Sequence, residues 1–538
     1  MYQRQLKFLS FVVLLVMLAS ASNPLAQPAG GTLTIASSKE LNSLNPLSEE
    51  PAASELMPLF LGTLLAVNPL NAQIEPALAE QPPQVSPDRK TFTLTLRTAK
   101  FSDGAPFTAD DVLFTFNDVF LNTRVRTRML DLLREFLKVN GQPLIQRVER
   151  VDERTVRFAL NAPLPTSLLV LFTQIPILPK HKLEKRDVLR SWGVGTKPEE
   201  IVGLGPFKVS EFARNRVVFA RNELYWKRDA QGNQLPRLGR IVWLGEQRES
   251  LKQFQADKVD LFEITAEETQ SLPAQAKLIL GGPQKLLFSL YINQDVTDAE
   301  KRAIFRDVRF RQALAHATDR VAFIKKYPGE LAAPRESFLH PLSPFYDEAS
   351  LVRYAFDLAK AAALLDHVGL KDTDGDGWRD LPSKKPFKLT FLLHRDDPVR
   401  IEVARIYQTN LARVNLRAEL EIISRSAWGG RLDKPPRYEA ALVGDILEFE
   451  MPLFVLQLAG ILDITGKTEE IDQILSQLPT APDAYALFAR LQKLISEDVP
   501  VLPLYSPQYL VAVQPTVKNA EIINAYGYAR FLELLRKE

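Results

Sequence analysis

Apolar and polar residues alternate strictly over Thr91 to Arg97 (T-F-T-L-T-L-R), the spacing of a half-buried strand. The pattern then changes. In F-S-D-G-A-P-F-T-A-D-D-V-L-F-T-F, Phe101 to Phe116, Asp103-Gly104 is a tight-turn dipeptide and Pro106 keeps the following residues extended. Thr108 lies three residues before Asp111, the spacing at which a hydroxyl N-cap and a carboxylate satisfy each other's free amides. The helix so started buries Val112, Phe116 and Val119 on one face. Further strands are predicted at Thr32 to Ala36, Thr155 to Leu160, Val217 to Ala220, Leu286 to Asn293, Lys388 to Leu393 and Leu416 to Ile423. Phe310, Leu314, Ala317, Val321 and Ile324 recur at spacings of four and three, predicting one amphipathic helix with a single buried face. Helices are also predicted from Asp357 to Val368, stopped by Gly369, from Pro398 onward, and from Ala484 to Ile495. This rhythm implies α/β layers.

Two glycine-rich stretches punctuate the pattern. In G-L-G-P-F-K-V, Gly203 to Val209, glycines flanking one residue imply tight turning or close approach of two backbones. Gly281-Gly282-Pro283 is a linker-like break ahead of the apolar run at Leu286, and marks a crossing into a second lobe. Closely spaced prolines in D-V-P-V-L-P-L-Y, Asp498 to Tyr505, mark a return crossing, after which the tail rejoins the first lobe.

At 538 residues the chain exceeds what one core organises, so two or three domains are expected. Arg4 and Lys7 precede an apolar run from Phe8 to Ala19, which is short for a membrane span and is followed by small residues. This reads as a secretory leader over residues 1–26, cleaved after Ala21 or Ala26. The leader takes with it two of the 67 basic residues and none of the 65 acidic ones, so the remainder is formally neutral. Neutrality disfavours nucleic acid as a partner, because that binding is dominated by phosphate neutralisation. The chain contains no cysteine, which excludes thiol catalysis, thiolate metal sites, disulfides and a lipid-modified cysteine.

Enzyme motifs are absent: no H-E-x-x-H, G-x-S-x-G or G-x-G-x-x-G occurs. The five histidines are never paired at ligand spacing, and the segment Gly460 to Thr468 misses the phosphate-loop spacing by one residue. In D-T-D-G-D-G-W, carboxylates Asp372, Asp374 and Asp376 with Gly377 reproduce the start of a calcium loop, but Ser383 stands where the bidentate glutamate is needed. A solvated turn is the expectation there, with a structural ion as the alternative. No cofactor is expected.

The block Phe101 to Phe116, followed by G-L-G-P-F-K-V, R-N-E-L-Y-W-K at Arg221 to Lys227 and D-V-R-F-R-Q-A-L from Asp307, closely resembles the family 5 extracellular solute-binding proteins of ABC importers. The resemblance implies an α/β, two-lobed periplasmic binding protein fold of the large peptide-binding class. It implies lobe one over 31–280 plus 505–538, carrying an inserted subdomain near 66–190, and lobe two over 281–504. It further implies a monomeric, non-enzymatic, periplasmic protein that captures a peptide or another solute and serves a membrane permease with its ATPase subunits. Nickel complexes and oligosaccharides remain open as ligands, an exported hydrolase is the rival function, and a peptide sensor or chaperone on the same fold is a third. In dipeptide-binding members an arginine at a strand end holds the peptide carboxylate, and an acid in a G-W-x-x-D segment holds the amino group. Here L-L-H-R-D-D-P places Arg395 at the first position, and G-D-I-L-E-F-E places Glu448 at the second, with Asp445 in place of the tryptophan. That departure weakens a dipeptide assignment, although a guanidinium on a carboxylate and an acid on an ammonium remain sound chemistry.

Overall fold

The computed structural model describes residues 30–68, 70–432, 438–447, 458, 460–463, 465, 466 and 468–538. A twelve-stranded sheet runs through both lobes. Its first half takes the order Phe207–Ala213, Arg216–Arg221, Leu238–Leu244, Gly30–Ala36 and Leu261–Glu263. Its second half takes Leu286–Ile292, Ala440–Ile446, Lys388–His394 and Arg417–Ile423. Between them lies the long strand Val501–Val513. The C-terminal part of this strand pairs with the first half (Leu261 with Val513, Glu263 with Val511), and its N-terminal part with the second (Phe288 with Tyr505, Tyr291 with Val501). Its β-branched and aromatic residues suit a strand buried on both faces, and all but Gln508 are buried. Of the prolines that mark a crossing in the sequence, Pro500 immediately precedes this one strand and Pro503 sits inside it, and the strand passes from one lobe to the other.

Two expectations are corrected. Gly281-Gly282-Pro283 is not a linker: it ends the strand Lys277–Pro283, which pairs with Val501–Val513 through a register shift between Leu280 and Pro283. Gly282 takes φ +86°, so the glycines allow an irregular strand end where a loop was expected. The single helix through Phe310 and Ile324 is broken into Val308–His316 and Arg320–Ile324. Asp319 starts the second piece by accepting the Ala322 amide at 2.9 Å, and Val321, expected in the core, is 65% exposed. A local cap outweighs the hydrophobic spacing there.

The local signals around Phe101 to Phe116 form as read. Asp111 Oδ2 accepts the Thr108 amide at 3.0 Å in a full capping box, and Val112, Phe116 and Val119 are buried. Asp111 also accepts the Lys180 amide at 3.1 Å, so the cap ties in a second segment, and burial pushes its carboxyl upward. Beside it, Thr91–Thr95 and Thr155–Leu160 belong to a separate four-stranded sheet, whose Phe92 and Phe158 stack at 4.7 Å and meet Phe116 and Phe172. No helix among the described residues is long and apolar enough to cross a membrane.

Candidate functional site

The helix Pro51–Phe60 forms one wall of the larger of two adjoining cavities. Its position is set by the glycine motif: Gly205 donates its amide to the Phe60 carbonyl at 3.0 Å, and a Cβ on Gly203 would stand 1.9 Å from that same oxygen. The close approach expected from G-L-G-P-F is therefore real. It holds the helix end against the strand Phe207–Ala213.

The cavity encloses about 810 Å³. Lobe-one residues from this helix, from Thr173 to Leu178 and from Tyr509 and Tyr526 to Arg530 line it on one side. Gln284 and Lys285, just ahead of the second half-sheet, and Leu286 and Ile446 on it line the cavity on the other. A second cavity of about 350 Å³ adjoins it, sharing Met57, Pro58, Thr173, Pro176, Ala529 and Arg530. Trp226 lines this smaller space, with the Arg97 guanidinium 4.2 Å above its ring.

Five residues far apart in sequence meet on the lobe-one wall of the larger cavity. Glu55 is the one charged residue of its helix; it accepts from the Lys39 ammonium and from the Tyr528 hydroxyl. Tyr528 in turn accepts from Trp243 Nε1 at 3.1 Å. Glu263, at the end of the strand Leu261–Glu263, accepts from the Tyr509 hydroxyl at 2.8 Å. Burial, and the like charge of Glu55, push the Glu263 carboxyl up, while Lys39 pulls it down. Lys39 feels burial first, but both carboxylates hold its ammonium above the usual range. None of these residues was singled out in the sequence. The available signal was Glu55, an isolated acid in an otherwise uncharged helix.

The residues expected from sequence lie elsewhere. Arg395 follows the strand Lys388–His394 and is exposed; its amide donates to Ile423 O at 2.9 Å. Asp445 lies on the strand Ala440–Ile446 and accepts from the Tyr291 hydroxyl at 2.8 Å. Burial raises its carboxyl to about 6, against the opposing pull of that hydroxyl and of Arg400. Neither residue is among those lining the cavity, although Ile446, next to Asp445, is. Glu448 lies outside the described residues. Arg400, also missed, sits between aromatic rings, 5.4 Å from Phe288 and 5.5 Å from Trp428, and bonds Asp397 at 2.6 Å and His394 at 2.8 Å. Asp372, Asp374 and Asp376 are exposed and can bring oxygens within 4.8 Å of one another. Each already accepts a backbone amide of its own turn, such as Gly375 on Asp372 at 2.7 Å.

The model for "Bacterial extracellular solute-binding proteins, family 5 Middle" matches residues 73–457. The chain is 24% identical over 520 residues to the "Oligopeptide-binding protein AppA" of Bacillus subtilis, covering 93% of this chain and 91% of that protein. It is 25% identical over 429 residues to a "Probable ABC transporter-binding protein" of Deinococcus radiodurans, 75% of this chain and 70% of that one. In fold it resembles NikA from Brucella suis, solved in complex with Fe(III)-EDTA, with a TM-score of 0.72, 20% identity, and coverage of 94% of this chain and 100% of that one.

Proposed function

Since the chain belongs to family 5 of the bacterial extracellular solute-binding proteins, we propose that it captures a peptide or peptide-like solute between its lobes for an ABC importer. The solute passes to a membrane permease driven by its ATPase subunits. The observation that carries this reading is the cavity of about 810 Å³, in the upper part of the range of ligand pockets and lined from both half-sheets. Lobe one takes 31–280 and 505–538, with the subdomain near 66–190, and lobe two takes 281–504. A ligand touching both lobes binds the closed form better than the open one, and only such differential affinity shifts a hinge equilibrium. The strand Val501–Val513, paired to both half-sheets, is a natural pivot. The protein works as a monomer in the periplasm and turns nothing over.

Oligopeptide-binding relatives favour a peptide, and the NikA complex shows that the fold also holds a metal chelate. Native mass spectrometry of protein prepared without denaturation names the co-purifying solute. Calorimetry with a random tetrapeptide pool then gives saturable binding. A co-purifying sugar or metal complex, with no heat from the pool, refutes the peptide reading.

A further inference from the structure

The lobe-one wall carries an odd charge. Glu55 and Glu263 share a single ammonium, that of Lys39, so the group of three is left with one uncompensated negative charge on the cavity wall. Where such a network is buried its charges are expected to close, because unpaired charge in the interior is costly. Glu55 meets that expectation. Its side chain is 11% exposed and takes both Lys39 and the Tyr528 hydroxyl, which is itself held by Trp243.

Glu263 does not. Its Oε1 accepts from Tyr509, but Oε2 has no hydrogen bond among the described residues. Glu263 is exposed, and it lines the cavity. The two phenols are committed as donors to the two carboxylates and cannot supply the missing charge. The other charged residues lining the cavity, Lys285 and Arg530, are both cations, so the lining as a whole sums to one positive charge and the open carboxylate oxygen is a local feature of the Glu263 end.

We propose that Glu263, with Glu55 and Lys39 behind it, is a cation subsite on the lobe-one wall, and that the solute carries an ammonium or guanidinium group that docks on the free carboxylate oxygen. The proposal rests on the reading of the cleft as the solute site. A charge-assisted hydrogen bond in a closed cleft is the strong kind, and the incoming cation supplies the charge that the wall lacks. Burial and the like charge of Glu55 raise the Glu263 carboxyl, so a proton competes increasingly with a cationic ligand for this oxygen as pH falls. Lys39, Glu55, Tyr509 and Tyr528 are the titratable groups facing it.

The test uses the full exported protein and two tetrapeptide pools. One has free amino termini and Lys or Arg at a fixed position; the other is N-acetylated with Gln or Met there, and so carries no cation. Calorimetry at pH 7.5 is expected to show at least ten-fold tighter binding of the cationic pool. In Glu263→Gln, which keeps an acceptor for Tyr509, the gap closes while binding of the neutral pool persists and shows that the variant is folded. Equal affinity of the two pools for the unaltered protein overturns the proposal, as does a gap that survives Glu263→Gln. Agmatine, a guanidinium with no peptide bond, separates the two readings. If neither pool binds but agmatine does, and Glu263→Gln abolishes it, the cation subsite stands and the peptide reading falls; if nothing binds, both fall.

Discussion

Replacing Gly203 by alanine tests whether the glycine motif truly sets the cavity wall. The added Cβ would stand 1.9 Å from the Phe60 carbonyl oxygen and 2.9 Å from the Phe60 carbonyl carbon. Carbon–oxygen contacts settle near ~3.3 Å, so one of the two backbones has to retreat by about 1.4 Å. Both are held. Phe60 closes the helix Pro51–Phe60, and its oxygen accepts the Gly205 amide at 3.0 Å, a bond that the retreat breaks. Overpacking costs about 1–3 kcal/mol and the lost hydrogen bond roughly 1 kcal/mol more, so Gly203→Ala is expected to destabilise by ~3 kcal/mol. Because Glu55, Met57 and Pro58 ride on the same helix, solute affinity falls as well. Urea unfolding followed by tryptophan fluorescence reads the first effect, with each lobe's transition fitted separately if they do not coincide. Gly429→Ala is the internal control: it lies in the helix Arg425–Leu432, its Cβ meets nothing within 4 Å, and alanine there should stabilise by ~0.5–1 kcal/mol. A Gly203→Ala protein as stable as the parent would refute the close-approach argument.

Tyr528→Phe removes the hydroxyl that serves Glu55 and leaves the buried Trp243 indole N–H without its acceptor. The expected loss is ~2–4 kcal/mol in equilibrium unfolding, and a change under ~0.5 kcal/mol would show that the network is not a supporting one. Asp445, raised to about 6 in the folded protein, binds its proton more tightly there than in the unfolded chain, so its favourable contribution is whole below pH ~4 and lost as pH rises through 6. Asp445→Asn is therefore expected to be more stable than the parent at pH 8, by at most ~3 kcal/mol, with the gap closing by pH 4; a constant gap across that range contradicts the assignment. Arg395 is exposed at the strand end, so Arg395→Ala, read by calorimetry with peptide acids against the matching amides, is expected to cost about ten-fold on the acids alone. Equal loss on acids and amides would remove Arg395 as a carboxylate group. Glu448→Ala is measured beside it on free and acetylated amino termini.

The sequence by itself determined whatever depends on neighbours a few residues apart. Thr108 and Asp111 cap a helix because the hydroxyl and carboxylate reach each other's amides within one turn. Gly369 stops the helix Leu358–Val368 at φ 93°, a conformation its own backbone permits without help. Gly203 and Gly205 announced a close approach without saying to what, since the Phe60 carbonyl arrives from a segment far along the chain. The spacing from Phe310 to Ile324 misled where the Asp319 cap competed with it, and Gly281 to Pro283 misled because a glycine pair reads alike at a linker and at an irregular strand end. Only the tertiary structure decided the cleft. Lys39, Glu55, Glu263, Tyr509 and Tyr528 come from a loop, a helix, a strand end, the crossing strand and the tail, and no periodicity links them. The odd charge exists only once the segments carrying Lys39, Glu55 and Glu263 are packed together, because charge compensation is a property of distances in space and not of spacing along the chain.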